Sequence, residues 1–170
     1  MHQLARTIRG GILLGIALGA SGCGIIGGKK TPAAVAMRES LRPVLASERL
    51  YYDDGPGYLD SIRIVVGDAD TWRSVWQKAT SSQPTRPSLP IVDFDRSAVL
   101  VVGAGRLSPG DRVQVDSISI VDNDLTAIVR TIRECQGFPG DAYPLEIVRV
   151  ERVKGSVRFE ERSERSQECS

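Results

Sequence analysis

The chain reads as an α+β protein: a mainly antiparallel β-sheet, built of hairpins and sandwich-like, with one principal amphipathic helix packed on it. Three observations predict this class. Short runs of alternating apolar and polar residues recur between clusters of Gly, Pro, Asn and Asp, the pattern of strands and turns. One stretch places Trp72, Val75, Trp76 and Ala79 at i, i+3, i+4 and i+7, which is helical spacing. That helix follows one strand and precedes hairpins, so repeated strand–helix–strand units are excluded. With 170 residues, 41% of them hydrophobic and 25% charged, the chain has the composition of one ordinary globular domain.

The first segment carries a processing signal. Arg6 and Arg9 precede an apolar run over residues 10–18, which is shorter than the about 20 residues a membrane-spanning helix needs. Gly19, Ala20, Ser21 and Gly22 then lead into Cys23, an arrangement that resembles the bacterial lipoprotein box, although Ala20 stands where that pattern prefers leucine. The resemblance implies cleavage before Cys23 and attachment of lipid to its sulfur; an ordinary signal peptide cut near Ala20 is the other reading. The expected organisation is a signal peptide at 1–22, a lipid-anchored flexible tether with a short irregular segment at 23–57, a globular domain at 58–162 and a charged tail at 163–170. Gly24, rather than an aspartate, follows Cys23, which favours the outer membrane in a cell with two membranes.

Within the tether, residues 24–36 are rich in Gly, Ala and Pro and suit a flexible spacer. Residues 37–50 read as a short helix interrupted near Pro43, and residues 53–57 (Asp-Asp-Gly-Pro-Gly) as a turn. These two acids lack the alternating ligands and distal glutamate of a calcium loop. Ile62, Ile64 and Val66 alternate with polar neighbours in a strand over residues 59–66. Asp68 or Asp70 is placed to cap the helix that follows, accepting from free N–H groups of its first turn. Residues 80–90, with three prolines, form a loop. Residues 98–103 are almost continuously apolar, as a central strand requires. Val113 and Val115 alternate in one phase and Ile118 and Ile120 in another, a slip that predicts a β-bulge at Asp116-Ser117. Asp122-Asn123-Asp124 is a hairpin turn leading into a strand over residues 125–132. Residues 136–142 are a loop, and residues 145–153 and 156–161 a last hairpin across Lys154-Gly155. The alternating charges of residues 160–168 read as solvated surface.

Several chemistries are excluded by composition. The only histidine is His2, inside the segment expected to be removed, so Ser-His-Asp and Cys-His catalysis and imidazole-bound zinc have no residues to use. The glycines at 103 and 105 have no third glycine in register and no GK[ST], so they do not form a nucleotide loop. The acid pairs Asp93/Asp95 and Asp122/Asp124 sit where turns and caps use carboxylates. No catalytic residue, metal ligand or cofactor is expected. Lys and Arg number 22 against 21 Asp and Glu, and cleavage would leave a net charge of −1, which offers no field for nucleic acid. Of three cysteines, lipidation of Cys23 leaves Cys135 and Cys169 as an even pair in an oxidising compartment, expected as a disulfide or, alternatively, as two free thiols.

From Val65 to Glu161 the order of features resembles the C-terminal domain of the PrcB family of bacterial lipoproteins, named for a subunit of a surface protease complex. The features are Trp72 and Trp76 in the helix; Val92-Asp93-Phe94 before the apolar strand; Gly105-Arg106 and Gly110 in a loop; Cys135 after a hairpin; and Tyr143 with residues 147–150 (Ile-Val-Arg-Val) in the last strand. Residues 108–112 (Ser-Pro-Gly-Asp-Arg) depart from the family's loop. The resemblance implies a non-catalytic envelope protein that binds and stabilises a protein partner such as a protease. An inhibitor presenting a loop of a β-rich domain is the alternative. For the partner surface, the residues singled out are Arg106, Leu107, Pro109 and Arg112, where arginines flank apolar residues with little core to enter, and Phe138 in the neighbouring loop.

Overall fold

The computed structural model describes residues 47–135 and 137–166; the signal segment, Cys23 and Cys169 lie outside them. Its elements are β1 (Glu48–Asp53), β2 (Ser61–Val66), α1 (Ala69–Ala79), β3 (Ser97–Ala104), β4 (Arg112–Val121), β5 (Asp124–Arg133), β6 (Leu145–Glu151) and β7 (Val157–Arg165). The continuous apolar run of β3 sets the middle of the molecule, because residues 98–103 are all buried. A strand with apolar residues on both faces must be covered on both. Val99 and Val101 turn one way, into a cluster with Trp72, Val75, Trp76, Ala79 and Ile147. Ala98 and Leu100 turn the other way, onto Ile118, Leu125 and Ala127, and Val102 onto Val113 and Val129. The result is three layers: α1, a four-stranded sheet ordered β1-β6-β3-β2, and a three-stranded sheet ordered β4-β5-β7.

The helix is cut as its sequence predicts. Asp68 is extended and its Oδ1 accepts from the N–H groups of Asp70 (3.1 Å) and Thr71 (2.8 Å). These bonds, the one from Thr71 N–H foremost, hold its carboxyl below the usual range. Trp72, Val75, Trp76 and Ala79 are the buried stripe. Both indoles also need acceptors, and the proline-rich loop supplies them: Trp72 Nε1 donates to the Pro90 carbonyl (3.0 Å) and Trp76 Nε1 to that of Pro87 (3.2 Å). Tyr51 meets Trp76 edge-on at 5.1 Å, and burial, with Asp53 beside it, pushes its phenol up to about 12.

In the second sheet the register shifts between Val115 and Ser117, so Asp116 is the bulge residue that the phase slip predicts. The β4–β5 turn puts Asp122 at φ 51° and Asn123 at φ 71°, the double positive φ of a two-residue hairpin that Asn and Asp tolerate. Asp124 Oδ1 accepts from Ser156 N–H at 2.7 Å and Ser156 Oγ at 3.0 Å, bonds that lower its pKa.

Three expectations are corrected. Residues 48–53 are a strand, not the end of a helix or part of an irregular tether; β1 pairs with β6, and Leu50 and Tyr51 pack on the helix-side core. β6 and β7 do not form a hairpin. β6 already has β1 on one edge and β3 on the other, so the chain leaves its sheet and β7 pairs in parallel with β5. The charged tail does not begin at 163, since β7 continues to Arg165, its outward residues exposed as their charge requires.

Candidate functional site

Two connections meet at one end of the sandwich: residues 105–111 between β3 and β4, and residues 134–144 between β5 and β6. A short antiparallel bridge joins them, Leu107 N–H donating to the Ala142 carbonyl (2.8 Å) and Ala142 N–H to that of Leu107 (3.0 Å). Arg106 Nε adds an ion pair to Asp141 Oδ1 at 2.8 Å. The first loop then turns at Ser108-Pro-Gly-Asp111, with Asp111 N–H donating to the Ser108 carbonyl (3.1 Å) and Gly110 at φ +95°. Proline before a residue of positive φ is the chemistry of a type II turn, and glycine supplies that φ without strain.

Asp111 fastens the turn to the strand beyond. Its side chain is buried, and its carboxylate accepts from Glu134 N–H (2.9 Å), Arg133 Nη1 (3.1 Å) and Ser108 N–H (3.3 Å). A carboxylate with that many donors is compensated for its burial, and it couples the two loops through one residue. Arg112 closes the same junction on Glu134 at 3.2 Å. Over the turn lies Phe138: a Cβ built on Gly110 would sit 3.7 Å from its ring, and one on Gly140 would touch Pro109 at 3.6 Å. Phe138 remains 58% exposed.

Of the residues predicted for a partner surface, Arg106, Pro109 and Phe138 stand on the two joined loops and Arg112 follows at the start of β4, fastened to the second loop through Glu134. Leu107 does not belong with them. Its side chain is buried at 9% exposure because the bridge to Ala142 turns it inward, correcting the expectation of an apolar residue without a core to enter. Sequence reasoning missed Asp111, Glu134 and Asp141, the acids that set the loops; the Pro-Gly-Asp string marks a turn but carries no sign that its aspartate is buried. Cys23 and Cys169 lie outside the described residues.

The acid pairs are engaged in local structure. Asp93 Oδ1 accepts from Asp95 N–H at 3.0 Å, while Asp122 lies in the turn and Asp124 binds Ser156. Among the described residues no three His, Cys, Asp or Glu side chains gather in a way that would hold a metal ion, and no helix is long and apolar enough to cross a membrane. Fold and site together define a helix-backed β-sandwich with a paired-loop surface at one end. No family model, curated protein or solved structure matches the chain.

Proposed function

We propose that this chain is a non-catalytic, lipid-anchored envelope protein that binds and stabilises a partner protein through the paired-loop surface. The partner class implied by the PrcB resemblance is a surface or periplasmic protease. One observation carries the reading: an exposed aromatic side chain, Phe138, stands on two loops fixed to each other, to which Arg106 and Arg112 are tied by ion pairs with Asp141 and Glu134. Exposed aromatic and arginine side chains on a rigid base are what protein interfaces favour, since little ordering entropy is lost on binding.

The test uses the lipidated chain in its own membranes, with proteins that copurify after mild solubilisation identified by mass spectrometry. Arg106→Glu with Phe138→Ser should abolish copurification of the partner while leaving the melting temperature within a few degrees of wild type. Cys23→Ser should leave the precursor uncut and unlabelled by lipid. Capture that survives the double substitution would move the docking site off this surface.

A further inference from the structure

The connection from α1 back to β3 carries prolines at 84, 87 and 90, one at every third residue. Three residues make one turn of a polyproline II helix, so this spacing sets the prolines on a single ridge of that conformation. Local sterics favour it along the segment. Proline fixes its own φ and pushes the residue before it to extended backbone, which leaves only Thr85 and Ser88 unconstrained between Gln83 and Pro90. After a bend at Pro84-Thr85, residues 86–93 form no helix, strand or turn, and no cis bond or positive φ interrupts them. The hydrogen bonds repeat the period independently. Trp76 Nε1 donates to the Pro87 carbonyl and Trp72 Nε1 to the Pro90 carbonyl, three residues on. We propose that residues 86–91 (Arg-Pro-Ser-Leu-Pro-Ile) are a preformed polyproline II ligand for a protein partner that offers an aromatic-lined groove with a carboxylate beside it.

The tryptophans hold one ridge of this strap and leave the rest of it open. Among the described residues, no other backbone N–H or carbonyl of residues 84–92 is hydrogen-bonded. Polyproline II has no internal hydrogen bonds, so its backbone groups are met by water or by a partner. Pro87 and Ser88 are exposed, and so are the larger apolar residues Leu89 (38%) and Ile91 (94%). Arg86 is exposed and forms no ion pair with a described residue, whereas Arg73, Arg106 and Arg112 each have one. The complementary groove sets aromatic side chains against proline and leucine, aims donors at the open carbonyls, and meets Arg86 with an acid. A free proline-rich peptide has to be ordered as it binds. Here the ordering is done in advance by indoles that are 2% and 4% exposed, part of the core stripe of α1, so less freedom is lost on association.

NMR titration of the purified chain with purified SH3 and WW domains, the modules that read polyproline II, tests this. At least one domain should shift the amide signals of Arg86, Ser88, Leu89 and Ile91 in a saturable way. Arg86→Glu with Leu89→Asp should weaken that binding about tenfold or more at an unchanged melting temperature, since neither side chain is bonded to the body. A synthetic peptide of residues 83–92 should bind about tenfold more weakly than the chain. Trp76→Phe, which removes the bond to Pro87 and keeps a ring in the core, should bring the chain toward the peptide's affinity. No saturable shift of residues 86–91 with any domain, binding unchanged by the double substitution, or a peptide that binds as tightly as the chain would overturn the proposal. The strap runs along α1 and not on the paired loops, so Arg106→Glu with Phe138→Ser should leave this binding intact, and the two readings fail separately.

Discussion

Replacing the members of the Arg49–Glu146 pair one at a time should give unequal costs, and the order follows from burial. Glu146 is 2% exposed and Arg49 is 58% exposed at the side chain. One carboxylate oxygen of Glu146 accepts from Arg49 and the other from Val115 N–H, beside the bulge, so a single residue of β6 ties β1 and β4 together. Arg49→Ala leaves a buried carboxylate with one backbone donor and should cost about 3–5 kcal/mol, the usual penalty for an uncompensated buried charge. Glu146→Gln retains an acceptor for Val115 and frees an arginine that water can solvate, so about 1 kcal/mol is expected. Glu146→Ala also orphans the Val115 N–H and should fall between, at about 2–3 kcal/mol. The double variant Arg49→Ala/Glu146→Gln should be more stable than Arg49→Ala alone, a non-additivity that neither packing nor cavity terms produce. Urea denaturation at pH 7 measures all four without the screening that guanidinium salt introduces, provided the slope with denaturant stays constant. Glu146→Gln costing as much as Arg49→Ala, or a double variant whose cost is the sum of its parts, would refute the argument that Glu146 acts as a buried charge.

Two further outcomes are expected. Trp76→Ala empties a site that is 4% exposed, breaks the bond to Pro87 and removes the ring contacts to Tyr51 and Trp72; it should cost about 3–5 kcal/mol and lower the melting temperature by roughly 10 °C or more, and a melt within a few degrees of wild type would show that the helix docks by other contacts. The parallel register sets Arg133 opposite Arg165, and Ser166 N–H donates to the Arg133 carbonyl at 2.8 Å, so the chain runs toward Cys169 from beside the approach to Cys135. Mass spectrometry of the non-reduced chain should therefore find Cys135 joined to Cys169, a bridge worth on the order of 3–4 kcal/mol in the chain-entropy model, and two alkylatable thiols would exclude it.

What could be read from residues, and what could not, divides along the reach of each signal. Periodicity reports faces. It found the helix stripe, the doubly buried β3 and the bulge at Asp116, because each is written in the spacing of a few neighbours. It does not report edges. Lys154-Gly155 looks like a hairpin turn, and what forbids the hairpin is the occupation of both edges of β6 by β1 and β3, from residues about a hundred and about fifty positions earlier in the chain. β1 escapes a local reading for the same reason: residues 48–53 become a strand by pairing with β6, and their own pattern is short and partly charged.

The loop surface repeats the lesson at the scale of single side chains and explains its form. Composition marked both loops, with Arg106, Pro109 and Arg112 in one and Phe138 in the other, as separate candidates. Their union depends on Asp111 and on the Leu107–Ala142 bridge, contacts between loops that a full hairpin separates in sequence. The same bridge takes Leu107 inward, so the leucine contributes to holding the loops together and not to what they present. Binding energy at such a surface would then rest on Phe138 and the arginines tied to the same loops, since a leucine in the loop ladder reaches a partner only if the bridge opens. Substituting Leu107 should consequently lower stability and loosen both loops at once, whereas substituting Phe138 should affect docking alone. That contrast follows from geometry that neither loop carries by itself.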